Sequence, residues 1–240
     1  MTYCVGLLLD AGIVLLSDTR TNAGLDNISC YRKMFTFNRP GDRVIAILTA
    51  GSLSTTQTTL ARLSDAIDDP ESDTPSIMEA ETMLEVAEIV GSTLSRTAGD
   101  IANKMNGMSQ MASATLIVAG QRRGGAMRLF LVYPEGNFIE ATRDTPFLQI
   151  GEHKYGKPIL DRVIRPETTL AEAQKAALLS MDSTLRSNLS VGMPLDMMVI
   201  ERDALDIAVS RRIEAEDPVY RQMSSDWSEA LRDAFRQIRI

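Results

Sequence analysis

The chain has one histidine, His153, and two cysteines, Cys4 and Cys30, in 240 residues. A Ser-His-Asp or Cys-His pair must use that imidazole or none. A zinc site with two or more histidine ligands is excluded within one chain. His153 lies in the polar run Gly151-Glu152-His153-Lys154-Tyr155-Gly156 and reads as a loop histidine. The cysteines have neither metal-ligand spacing nor a CxxC motif, so they read as reduced thiols, with Cys4 packed in a strand. No metal and no cofactor are expected. Positive charge is also scarce. The formal net charge of −7 disfavours nucleic acid and anionic membrane, which reward clustered Lys and Arg. No apolar run approaches the roughly 20 residues that span a bilayer. No basic segment precedes an apolar core at the N-terminus, so no secretory signal is expected. A cytoplasmic location fits these absences.

What remains is ordinary for a globular protein, with 44% apolar and 24% charged residues. The length allows one large domain or two small ones, and no repeat, low-complexity segment or linker divides it. Thr2–Leu9 and Ile13–Asp18 read as strands joined by an Asp10-Ala11-Gly12 turn. Thr19–Ser29 is polar and reads as a loop. Strands are predicted at Lys33–Phe37 and Val44–Ala50, then a helix from Gly51-Ser52 to about Ile67. Apolar residues at helical spacing predict a long helix from Ile77 to about Met108, broken near Gly99. The Met108-Ser109-Gln110-Met111 cluster reads as gap-filling core. Strands follow at Ala114–Gly120, Met127–Tyr133, Phe138–Ala141 and Phe147–Ile150, then helices at Lys157–Ile164 and Leu170–Leu189. Leu195–Glu201 and Ala204–Arg211 read as a last hairpin. Asp217–Ile240 reads as an amphipathic helix carrying Trp227, Leu231 and Phe235. Hairpin-linked strands argue for antiparallel sheets, and helices with one apolar face must cover them. The fold class expected is α+β, a four-layer αββα sandwich of the type seen in N-terminal-nucleophile hydrolases.

The start Met1-Thr2-Tyr3-Cys4 gives this architecture a chemical meaning. Thr2 is small enough for Met1 to be removed readily, which would leave a threonine with a free α-amine beside its hydroxyl. An α-amine has an unperturbed pKa of about 7.7–8.0, so a fraction is neutral near neutral pH and can accept the hydroxyl proton.

Three segments carry a resemblance: Thr2-Tyr3-Cys4-Val5-Gly6, Ser17-Asp18-Thr19-Arg20-Thr21-Asn22-Ala23-Gly24, and Arg32-Lys33-Met34. With the later GEHKYGKP run, they make nearly the whole chain resemble the bacterial proteasome-type proteases, most closely the Anbu (ancestral β subunit) branch. The resemblance implies Thr2 as nucleophile, Asp18 at the end of the second strand, Lys33 opening the third, and Gly51 as oxyanion-hole donor. The physics agrees with each transfer. The Lys33 charge favours an alkoxide-like Thr2, and Asp18 pairs with the ammonium and orients it. Gly51 stands at a strand-to-helix junction with a helix dipole behind its N–H. As a residue placed for chemistry, Lys33 is expected to be dispensable for folding. Each of the three also has a plainer reading, as loop brace, edge-strand charge and helix entry.

The sequence departs from the wider proteasome pattern in two places. Glu152 stands where a serine follows glycine, and is read as a source of negative charge near the Thr2 amine. In Ser187-Asn188-Leu189-Ser190-Val191-Gly192, Ser190 fits the family's serine, while Ser187 replaces its aspartate. Residues 1–216 are read as the proteasome-type domain and 217–240 as its helical extension, which packs on its own subunit or on a neighbour. The resemblance implies a homo-oligomer, an open helical or lock-washer ring. No GxxxxGKS motif occurs, so an unfoldase, activator or operon partner would be a separate chain. Three functions stay open: a threonine peptidase acting on peptide or protein, an amidase acting on a small or specialised amide, and a structural subunit with a dormant site.

Overall fold

The computed structural model describes residues 2–22, 28–69, 71–104 and 112–239. Met1, the Ala23-Gly24 part of the polar run, and the Met108–Met111 cluster with the expected end of the long helix lie outside these residues.

Two five-stranded antiparallel sheets stack face to face. In the first, β10 (Phe147–Gly151), β1 (Tyr3–Leu9), β2 (Gly12–Asp18), β11 (Leu195–Glu201) and β12 (Val209–Ile213) lie in that order. In the second the order is β5 (Met34–Arg39), β6 (Arg43–Gly51), β7 (Ala114–Arg122), β8 (Arg128–Val132) and β9 (Phe138–Glu140). Helices α1 (Leu53–Asp68) and α2 (Met83–Lys104) cover the second sheet, and α3 (Lys157–Val163) and α4 (Leu170–Ser187) cover the first. This is the expected αββα sandwich.

Side-chain alternation builds the three cores. In β1, Tyr3, Val5 and Leu7 face Leu160, Ala177 and Met181 of the helical layer. Cys4, on the other face, joins Ile13, Leu15, Leu48, Ile117 and Leu129 between the sheets. On the far side, Ile45, Ile47, Val118 and Phe130 meet Leu63, Val86, Val90 and Leu94 of α1 and α2. Because each sheet is covered on both faces, β1 and β2 read as continuous apolar runs. Truncating a buried leucine such as Leu7 to alanine costs about 2–5 kcal/mol.

Three expectations need correction. The polar stretch after Thr19 is not wholly loop, because β3 (Arg20–Asn22) and β4 (Ile28–Cys30) pair as a separate antiparallel ribbon. The long helix starts at Met83 rather than Ile77. The Thr82 hydroxyl accepts the Glu85 N–H at 3.0 Å and so caps the helix. Ile77, Met78 and Ala80 are buried in the turns before it. Nor does α2 break at Gly99. Ser52 caps α1, and Thr169 with Glu172 forms a full capping box on α4.

The last helix, α5 (Pro218–Gln237), is capped by Asp217, whose carboxylate accepts the Tyr220 N–H at 2.9 Å. Tyr220 is buried, whereas Val219, Leu231, Phe235 and Ile238 remain exposed. No helix among the described residues is long and apolar enough to cross a membrane.

Candidate active site

The site forms where β1 begins, β2 ends and β5 begins. Thr2 is buried at the head of β1. Strand pairing between β1 and β2 runs to Cys4–Ser17, one residue short of Asp18, and on the other side of β1 it sets Tyr3 opposite Gly151. The Thr2 carbonyl accepts the Glu152 N–H at 2.7 Å. This approach needs a glycine beside it. Gly151 has φ +79°, and a Cβ there would lie 1.9 Å from the Thr2 oxygen.

Asp18 is the hub. Its Oδ1 accepts the Tyr3 N–H at 3.1 Å and the Lys33 Nζ at 2.7 Å. Its Oδ2 accepts the Gly192 N–H at 3.2 Å. Lys33 Nζ also donates to the Arg20 carbonyl at 2.6 Å. The side chains of the pair are 6% and 0% exposed, so neither charge is left to water. Burial pushes the Asp18 carboxyl above its ordinary value. The Lys33 ammonium and the two backbone N–H groups pull against that shift. One carboxylate oxygen thus joins the ammonium to the backbone one residue from Thr2.

Neighbouring groups are held inert. The Cys4 thiol is fully buried, and burial, reinforced by the Asp18 charge, pushes its pKa far up. It stays a thiol and packs 3.7 Å from the Thr49 carbonyl. The Tyr3 hydroxyl is pushed up to about 12 by burial, against hydrogen bonds from Ser180 and Gln149.

Gly51 ends β6 with φ +109°, and a Cβ there would lie 2.5 Å from the Ser113 carbonyl. The Thr49 N–H donates to the Lys33 carbonyl at 2.9 Å. Backbone N–H direction repeats every second residue along a strand. The Gly51 N–H therefore emerges on the same side, past the Met34–Leu48 pair where β5 pairing ends. Ser52 then caps α1 immediately behind it.

Asp18 and Lys33 are brought together as expected. Glu152 meets Thr2 through its backbone, and its carboxylate lies 4.0 Å from Lys154 Nζ. Ser190 is half-buried in the loop after α4, where its N–H donates to Asn188 Oδ1 at 2.9 Å. His153 is exposed, with Nδ1 3.1 Å from the Gly151 carbonyl. Sequence reasoning missed Gly192, the Arg20 carbonyl and Gly151. The two glycines were visible in Val191-Gly192-Met193-Pro194 and Ile150-Gly151-Glu152, but nothing in the string ties them to Asp18 or Thr2. Among the described residues, no group of three or more His, Cys, Asp or Glu side chains could hold a metal ion.

The proteasome subunit family model matches residues 2–200, and the chain belongs to that family. Among solved structures it is similar to Anbu, the ancestral β-subunit, from three sources. A Gly-1 mutant of Anbu from Hyphomicrobium sp. strain MC1 is 46% identical over 100% of this chain and 99% of that one, with a TM-score of 0.92. Anbu from Yersinia bercovieri is 42% identical over 99% and 98%, with a TM-score of 0.92. The helical assembly of the Anbu complex from Pseudomonas aeruginosa contributes a chain 41% identical over 99% and 97%, with a TM-score of 0.93. These likenesses place the chain in the Anbu branch of the family. Among curated proteins no match was found.

Proposed function

We propose that this chain is a threonine-type peptidase subunit, with Thr2 as nucleophile once Met1 is removed. The observation that carries the reading is the buried Lys33–Asp18 pair, joined through Asp18 Oδ1 to the N–H next to Thr2. A buried ammonium beside a hydroxyl favours the alkoxide-like state. Asp18 pairs with that ammonium and fixes its position.

In the proposed reaction the Thr2 α-amine accepts the hydroxyl proton as Oγ bonds to a peptide or amide carbonyl carbon. The Gly51 N–H, backed by the α1 dipole, holds the oxyanion. The C–N bond then breaks, and the departing amine takes the proton. Water attacks the resulting ester, the α-amine accepts its proton, and the acid leaves with Thr2 restored. Glu152, fixed to Thr2 by its backbone, and Ser190, in the loop that holds Asp18, complete the site in this reading.

The proposal includes self-assembly into an open helical or lock-washer homo-oligomer in the cytoplasm. Support comes from the helical assembly of the Pseudomonas aeruginosa relative and from the uncovered apolar residues of α5. Residues 217–240 would then extend the catalytic domain towards a neighbouring copy.

Intact-protein mass spectrometry with a peptide epoxyketone tests the chemistry, because that electrophile bridges an N-terminal amine and its β-hydroxyl. One adduct on Thr2, lost in Thr2→Ala, is expected. A chain that lacks Met1, forms no adduct and retains its cellular role as Thr2→Ala would refute the peptidase reading and favour a structural subunit. Ser187, exposed where the family carries an aspartate, is the observation on that side.

A further inference from the structure

Behind the Lys33–Asp18 pair lies a second, differently built site. A cavity of about 670 Å³ opens between α4, α5 and the 188–193 loop. Arg20, Arg186, Arg221 and Arg232 line it, with Asp182 as the one carboxylate. Arg186 already pairs with Asp182, Nε to Oδ2 at 2.9 Å. Arg20 donates to the Leu189 carbonyl at 3.0 Å and meets no carboxylate among the described residues. The guanidinium groups of Arg221 and Arg232 have no hydrogen bond or ion pair among the described residues. Ser225 adds a hydroxyl to the wall.

Three positive charges in excess around one cavity are unexpected in a chain whose net charge is −7. Like charges gathered this way repel, and a bound anion relieves the repulsion. The donor set selects the anion. Guanidinium groups present paired N–H donors that match oxyanions. Several of them suit a phosphate, with its double charge and three acceptor oxygens, better than a single carboxylate. The volume falls in the range of small-molecule pockets.

The cavity shares two residues with the catalytic frame. The Arg20 carbonyl accepts from Lys33 Nζ at 2.6 Å, and the Gly192 N–H donates to Asp18 Oδ2 at 3.2 Å. The Arg20 guanidinium packs directly on Gly192, where an added Cβ would lie 2.1 Å from Arg20 Nε. An anion that draws the Arg20 side chain away from the Leu189 carbonyl therefore acts on both supports of the pair.

We infer that this cavity binds a small phosphate-bearing molecule and that its occupancy adjusts the Lys33–Asp18 pair. The regulatory half rests on the peptidase reading above; the binding half does not. Inorganic pyrophosphate is the probe, titrated calorimetrically at constant ionic strength into the assembled wild-type protein and into R221Q/R232Q. Both arginines are exposed, so the variant should fold, and its melting curve checks that.

Saturable binding in the wild type is expected, weakened about tenfold per lost guanidinium. No saturable binding, or equal affinity in the double variant, overturns the site. A change only in assembly size by light scattering also overturns it, because the cavity would then be a contact between copies. The rate of Thr2 adduct formation, with and without saturating pyrophosphate, reads the regulatory half. An unchanged rate with binding intact overturns regulation alone. Absence of adduct in every sample refutes the peptidase reading and leaves the binding result standing.

Discussion

Replacing Lys33 by alanine leaves a carboxylate that is fully buried without its cation. The Tyr3 and Gly192 N–H groups still reach Asp18, but they carry no full charge. Removing one partner of a buried ion pair costs about 3–5 kcal/mol. A chain of 240 residues loses about 2–4 °C of Tm per kcal/mol, so Lys33→Ala should lower Tm by roughly 6–20 °C near neutral pH. The sign of the pH dependence follows from Asp18. Burial already pushes its carboxyl up, and loss of Lys33 removes the largest opposing influence. With the folded value above the unfolded value of about 3.9, the group's contribution is whole below that pH and is lost as pH rises through the folded value. The deficit of Lys33→Ala should therefore be small near pH 5 and largest near pH 8. The double variant Asp18→Asn, Lys33→Ala carries no buried charge and should recover part of the loss at pH 8. Calorimetric melting of the wild type and the single and double variants at the two pH values provides the assay. Equal deficits for single and double variants at pH 8, or a deficit that ignores pH, would refute the reasoning. From sequence alone Lys33 is a chemical residue dispensable for folding, whereas the buried pair makes it part of the fold.

Other outcomes follow from the same geometry. Gly151→Ala forces a Cβ onto the Thr2 carbonyl from a left-handed backbone position. It should cost about 2–4 kcal/mol and abolish Thr2 labelling, and wild-type labelling with an unshifted melt would contradict this. Tyr3 should ionise only near pH 12. Because its folded value is raised, its contribution is complete below about pH 10 and is lost between there and the folded value, a span of about 3 kcal/mol. A late phase in the ultraviolet alkaline titration, absent from Tyr3→Phe, checks this. Labelling of Thr2 should rise with pH as the amine loses its proton, so a flat profile between about pH 6 and 9 would exclude an α-amine base. Leu231→Ser with Phe235→Ser should dissociate the assembly in sedimentation velocity while leaving the subunit's melting within about 1 kcal/mol of wild type, since both side chains are already exposed.

The layers were legible in the string because their central strands are buried in a simple way. The run from Tyr3 to Leu9 has no solvent face. The β3–β4 ribbon was not legible, since Arg20 to Cys30 has no apolar alternation and its pairing rests on backbone hydrogen bonds. The start of α2 was misjudged because Ile77, Met78 and Ala80 keep helical spacing, while one hydroxyl, that of Thr82, sets the boundary. Asp18 and Lys33 were found through resemblance, and their pairing followed from charge. The Gly192 N–H and the Arg20 carbonyl escaped for another reason. A backbone group has no signature in sequence, and Gly192 stands 174 residues from its carboxylate.

That separation has a consequence for synthesis. Thr2 is synthesised before every group that frames it. Glu152 fixes its carbonyl, β11 flanks β2, and Gly192 closes on Asp18. Long-range strand pairing of this kind is slow to form because loop closure must precede the contacts that reward it. A nascent chain that has not yet reached Gly192 thus carries Thr2 without the full set of hydrogen bonds that frame it. A framed site exists only after the chain has closed contacts that reach from one end of the sheet's sequence to the other.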